Sequence, residues 1–99
     1  MLYAIIAEDV PDSLPKRAAA RPAHLVRIQA LVAAGRIILA GPFPAIDAAE
    51  PGPAGMSGSL IVAEFDSLEA ATDWINADPY VTDGVFARVT VKPFVQVLP

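Results

Sequence analysis

The 99-residue chain contains no cysteine and a single histidine, His24. Without thiols it has no disulfide framework, no thiolate nucleophile and no cysteine-type zinc site. With one imidazole, proton chemistry near neutral pH falls to His24, because no other side chain here ordinarily changes charge in that range. Basic residues are also few. Seven Lys and Arg stand against eleven Asp and Glu, giving a net charge of −4 and a pI of about 4.6. Nucleic acid requires a basic footprint and an anionic bilayer surface requires a basic patch, so both are excluded as general partners. No apolar run approaches the roughly 20 residues that cross a bilayer. Met1–Val10 carries Glu8 and Asp9 where a secretory leader would be basic. A cytoplasmic location is the expectation.

What the chain has in excess is apolar surface: 55% of its residues are hydrophobic and the mean hydropathy is +0.48. One domain spanning residues 1–99 fits this length. A domain so small buries only a limited share of its own surface. The surplus points to a second copy as cover.

Leu2–Ala7 is a continuous apolar run and reads as a strand buried on both faces. Asp12-Ser13-Leu14-Pro15 is a helix start, and the helix is expected to run to Ala34 with Gly35 as its C-terminal cap. Pro22 lies inside it. An interior proline removes a backbone bond and clashes with the preceding turn, so a kink near Ala18 or a break at Arg21-Pro22 is expected. Arg36–Gly41 is the second strand. Pro42–Gly58, rich in proline and glycine, reads as a long loop. Ser59–Phe65 is the third strand. Asp66 and Glu69 have capping-box spacing, opening a helix that turns Leu68, Ala70, Ala71, Trp74 and Ile75 inward and ends near Asn76-Ala77. After a turn to Gly84, Val85–Lys92 alternates, with Val85, Ala87, Val89 and Val91 on one face and Phe86, Arg88, Thr90 and Lys92 on the other. Pro93-Phe94 ends or bends that strand, and Val95–Leu98 extends an edge. The order β-α-β-β-α-β, with right-handed crossovers, predicts an α+β, ferredoxin-like fold. Its four-stranded antiparallel sheet carries two helices on one face. The bare face is then expected to pack on a second copy.

At about 100° per residue, Arg17, Arg21, His24, Ile28 and Leu31 share one helix face. That stripe is apolar toward Leu31 and cationic toward Arg17, as expected of a helix running from a core to the rim of a pocket. Gly41-Pro42 and Gly55-x-x-Gly58 lack both the P-loop lysine and the dinucleotide fingerprint, so no nucleotide cofactor is expected. Glu8-Asp9 and Asp47 with Glu50 read as solvated loop ends, not metal ligands. Ser59 has no neighbouring base and no nucleophile-elbow pattern. Asp78 before Pro79 has the form of a helix cap.

Several segments taken in order carry a resemblance. They are Arg21-Pro22-Ala23-His24-Leu25, Gly35-Arg36, Ala40-Gly41-Pro42, Gly58-Ser59, Ala77-Asp78-Pro79-Tyr80, Gly84-Val85-Phe86 and Val91-Lys92-Pro93-Phe94. Together they resemble the YciI family over nearly the whole chain. The resemblance implies a dimeric α+β barrel of ferredoxin-like subunits, related to muconolactone isomerases and to a dehydrochlorinase of a chlorinated hydroxyquinol. It also implies a paired His and Asp in a cleft, matching His24 and Asp78. In such a pair the carboxylate fixes the imidazole tautomer and stabilises the imidazolium that forms. Arg17, Arg21, Ser59 and Tyr80 are then substrate-binding candidates, the arginines as a clamp for a carboxylate or phenolate.

Two functions are compatible with these residues. One is a small cofactor-independent enzyme, without metal, of the isomerase or lyase type, acting on a small cyclic or phenolic anion. The other is a non-catalytic dimer that binds a small ligand or serves as an accessory protein, in which His24 only donates a hydrogen bond. Fold membership does not separate them.

Overall fold

The computed structural model describes residues 1–99. Strand β1 (Leu2–Asp9) leads into helix α1 (Leu14–Ala33), and strand β2 (Ile37–Pro44) follows. A 3-10 turn, Gly52–Ala54, precedes strand β3 (Met56–Glu64). Helix α2 (Leu68–Asn76), the one-turn helix α3 (Pro79–Thr82) and strand β4 (Phe86–Phe94) complete the chain. The strands form one antiparallel sheet in the order β2-β3-β1-β4. The helices cover one side of it, as the β-α-β-β-α-β pattern requires.

The central strands alternate. Tyr3, Ile5 and Ala7 of β1 and Ile61 and Ala63 of β3 enter a core with Phe65, Ala71, Ile75, Tyr80, Val85 and Phe86. Their neighbours Ala4, Ile6, Leu60 and Val62 point to the bare side. Val62 is buried yet stands outside that core cluster. No helix is long and apolar enough to cross a membrane.

Several boundaries depart from the sequence reading, each for a local reason. β2 continues through Pro42 and Pro44 because it is an edge strand, where a missing N–H leaves no ladder bond unmade. The long loop thereby shortens to residues 45–55, and β3 begins at Met56. Helix α1 runs unbroken past Pro22. The ring leaves the Ala18 carbonyl without its intrahelical donor, but both residues are exposed, so water can serve it. Alanines at 18, 19, 20 and 23 favour the helix around it. At its end, Gly35 adopts φ +69°, Arg36 N–H reaches Leu31 O and Gly35 N–H reaches Val32 O, which is a Schellman cap.

Ser67, not Asp66, caps α2, its hydroxyl accepting from Ala70 N–H at 3.0 Å, and Leu68 in the first turn faces outward. A register shift between Glu8 and Asp9 places Phe86 opposite Asp9 and turns it into the core, against the plain alternation expected of β4. Val95–Leu98 adds no strand; Val95, Val97 and Leu98 lie exposed beyond Phe94.

A close backbone approach between β3 and β1 bears on the site. A Cβ built on Gly58 would stand 2.0 Å from the Ala7 carbonyl oxygen of β1. Backbone cannot yield as a side-chain tip can, so Gly58→Ala is expected to destabilise the protein by about 1–3 kcal/mol or more. Urea unfolding followed by circular dichroism checks this; an unchanged midpoint would contradict it.

Candidate active site

Helix α1 and the Asp78-Pro79-Tyr80 corner make the centre of the site. Asp78 is the N-cap of α3, with extended backbone, and its Oδ2 accepts from Tyr80 N–H at 3.0 Å. The capping role read from Asp-Pro is therefore real. The same carboxylate also receives two side chains of α1. His24 Nδ1 lies 2.7 Å from Oδ2, and Arg27 Nη1 donates to Oδ1 at 2.8 Å. The Asp78 side chain is 0% exposed. Burial alone would push its carboxyl up. The hydrogen bonds from His24 and Tyr80 N–H, the charge of the protonated His24 ring and the bond from Arg27 outweigh that and hold it below the usual carboxylate range.

An ionised Asp78 can only accept, so all three partners donate. The proton of neutral His24 therefore sits on Nδ1, and Nε2 keeps its lone pair with no protein partner. Tyr80 stacks flat on the imidazole, with centroids 3.9 Å apart and planes 5° apart. One hydrogen bond and one stack thus fix both the direction and the plane of the ring. Burial, partly offset by Arg17 and Arg21, pushes the Tyr80 phenol up, so it stays protonated as a neutral donor.

Arg27 was not among the residues singled out from the sequence. Its signal was present: it lies three residues after His24, the spacing that puts two helix side chains side by side. Its guanidinium carbon sits 4.5 Å from the Trp74 ring centroid, so α2 supports it from behind.

Arg17 is not a rim residue. Its Nε and Nη2 form a fork on Asp9 at 2.6 and 2.9 Å, and Nη2 also reaches Gly58 O and Ser59 Oγ, each at 2.9 Å. Ser13, instead of capping α1 with its side chain, donates to Asp9 at 2.5 Å. Asp9, expected as a solvated loop end, is therefore a buried ion-pair partner with its side chain 1% exposed. Only Nη1 of Arg17 lacks a protein partner. Glu8, its neighbour, stays exposed and pairs with Arg88.

Arg21 makes no ion pair or hydrogen bond with the protein. Together with Arg17, His24, Ser59 and Tyr80 it lines a cavity of about 200 Å³ between α1 and the β2–β3 side of the sheet. Leu25, Ile28 and Ile61 supply apolar wall. All the sequence candidates for substrate binding thus border one cavity, Arg17 mostly committed and Arg21 free. No three His, Asp or Glu side chains gather as a metal-ligating group.

The family model described as the YCII-related domain matches residues 1–95. The chain belongs to that family. It is 57% identical over 97 residues to Protein YciI of Escherichia coli O6:H1, covering 98% of this chain and 99% of the relative. It is 31% identical over 94 residues to Fusaric acid biosynthesis protein 2 of Gibberella moniliformis, covering 93% and 90%. Among solved structures, it resembles 5-chloro-2-hydroxyhydroquinone dehydrochlorinase of Burkholderia phenoliruptrix in complex with 2,5-dihydroxybenzoquinone. That match has a TM-score of 0.83 and 28% identity, over 96% of this chain and 94% of the other. In that neighbour the shared fold carries a small-molecule enzyme.

The depressed Asp78 carboxyl has a definite pH consequence. Its stabilisation is complete above the usual aspartate range and is lost as pH falls through the lowered native value. The stability difference between wild type and Asp78→Asn, measured by urea unfolding, is therefore expected to shrink from pH 7 into that acid range. A constant difference would contradict this account. Arg27→Gln, which strips one charged donor from the buried carboxylate, is expected to cost about 1.5–3 kcal/mol at pH 7.

Proposed function

We propose that the protein is a cofactor-independent enzyme of the isomerase or lyase type, acting in the cytoplasm on a small cyclic or phenolic anion. The observation that carries this reading is the Nδ1–H bond from His24 to a buried, ionised Asp78, which leaves Nε2 as the ring's available base. Nε2 would take a proton from carbon next to a carbonyl. The C–H electron pair moves onto the carbonyl oxygen as an enolate, and the imidazole becomes imidazolium beside Asp78. Arg21, Nη1 of Arg17 and the Tyr80 hydroxyl are the donors available to the enolate oxygen or to a substrate anion. The imidazolium then returns the proton at another carbon, completing an isomerisation. Alternatively, the enolate collapses and expels a leaving group such as chloride, and the imidazolium gives up its proton to water, completing an elimination. The likeness to a dehydrochlorinase bound to a dihydroxybenzoquinone supports the same class of substrate.

The homodimer belongs to this proposal. On the bare side of the sheet Ile6, Leu39, Phe43 and Phe94 are 37%, 47%, 39% and 39% exposed. Ile6 stands opposite Leu60, and Leu39 opposite Val62, so these residues are neighbours and not scattered. Glu8, Arg88 and Lys92 lie on the same face toward its edges. A second copy packed face to face covers an apolar centre with a charged rim of this kind. Sedimentation is expected to give twice the chain mass for wild type and a single chain mass for Ile6→Glu. A monomeric wild type would overturn the dimer.

The chemistry is tested by a turnover screen of small lactones, chlorophenols and enol acids. His24→Ala is expected to lower turnover about 10²–10⁴-fold with its circular dichroism unchanged. Asp78→Asn, which frees the wrong tautomer, is expected to act in the same direction. Equal turnover by wild type and His24→Ala, or no turnover of any substrate by wild type, favours the ligand-binding reading instead.

A further inference from the structure

The His24 cavity does not end at Tyr80. A second hollow of about 310 Å³ adjoins it, and Arg17, Arg21, Pro42 and Tyr80 border both. These four residues mark the opening between two compartments. The residues that belong only to the second are Leu14, Ala18 and Met56, all apolar. No group there can move a proton. Leu14 is 39% exposed. It is fixed from the far side, because a Cβ on Gly55 would stand 2.9 Å from its Cγ. The hollow is therefore built by the first two turns of α1 and the start of β3, with Pro42 and Tyr80 completing its wall.

Arg21 sits where the compartments meet. It is the one arginine without an acceptor: Arg17 is held by Asp9, Arg27 by Asp78, Arg36 by Glu64 O and Arg88 by Glu8. A free cation at the mouth of a cleft, in a chain of net charge −4, selects an anion. On one side of it lies the base, with room for a ring. On the other side lies apolar wall with nothing to do in the reaction.

We infer that the cleft takes an amphiphilic anion, a planar ring bearing a carboxylate or enolate and a short alkyl arm. The ring lies beside His24 with its charge on Arg21, and the arm runs along α1 between Ala18 and Met56. This assignment rests on the reading of the His24 cavity as the substrate site and adds the part of the substrate that does not react. An arm held there would fix which ring carbon faces Nε2, and binding energy from a remote group is a general source of such positioning.

Isothermal titration calorimetry of wild type with benzoate and its 3-methyl, 3-ethyl and 3-butyl derivatives tests it. The dissociation constant is expected to fall along the series by up to about fourfold per added methylene. Butylbenzene, which lacks the charge, is expected to bind at least tenfold more weakly than 3-butylbenzoate. Arg21→Gln is expected to weaken every member about tenfold. Ala18→Phe, on an exposed helix position, fills the second compartment, and is expected to flatten the series while leaving benzoate within about twofold of wild type. Ala18→Leu provides the same reading with a smaller side chain. A flat series in wild type, an equally steep series in both Ala18 variants, or no binding by any member overturns the inference. Binding is read without turnover. An inert His24 therefore leaves the series intact, and a flat series leaves the proton chemistry intact.

Discussion

A carboxylate removed from water holds this structure's site together. Asp78 is fully buried, and ionised carboxylates in that position are costly unless every lone pair region finds a donor. Here one donor comes from its own turn, Tyr80 N–H, and two come from a helix 51 and 54 residues earlier in the chain. The fold brings them together because β2 and β4 occupy opposite edges of the sheet and both helical connections return over the same side. The short α3 then closes against α1, with Tyr80 laid on the His24 ring. Tautomer, ring plane and ring direction all follow from that single packing event.

The second ion pair, Arg17 with Asp9, works at the other end of the same cleft. It ties the first turns of α1 to the end of β1 and, through Gly58 O and Ser59 Oγ, to β3. A cleft needs walls that do not collapse onto each other. The apolar contact of α1 is modest, its only buried hydrophobic residues being Ala20 between these two clasps and Leu31 beyond the Asp78 clasp. Polar anchors at both ends thus hold the helix over the sheet without filling the space beneath it, and Arg21, between them, remains free.

Fold and site were legible to different extents. The element order and the antiparallel sheet followed from apolar runs and cap residues, because buried strands and amphipathic helices leave periodic marks in a sequence. Boundaries at β2 and β3 did not follow. The prolines that suggest a loop are equally at home on an edge strand, and edge position is a property of the whole sheet. Pro22 suggested a broken helix, yet exposure of the Ala18 carbonyl removed most of the reason to break. His24 stood out as the lone imidazole, and its pairing with Asp78 was expected only from the family resemblance. Their spacing alone gave only a lone imidazole and a cap. Asp9 and Arg27 were missed because an ion pair depends on where a partner lies in space. Asp9 in particular looked like a polar strand end until Arg17 was seen folded back onto it.

The double attachment of Asp78 bears on how such a protein diverges. Active sites are often places where a fold gives up stability for reactivity, so that blunting the site strengthens the scaffold. Here the His24 imidazole and the Asp78 carboxylate also help set the rotational position of α1, a helix that buries few apolar side chains of its own. Loss of the bond between them would leave Arg27 and the Arg17–Asp9 clasp as the polar ties of that helix. Descendants that acquire a different chemistry are therefore constrained to change the walls of the cleft and to keep its hinge-pin, whatever molecule they come to bind.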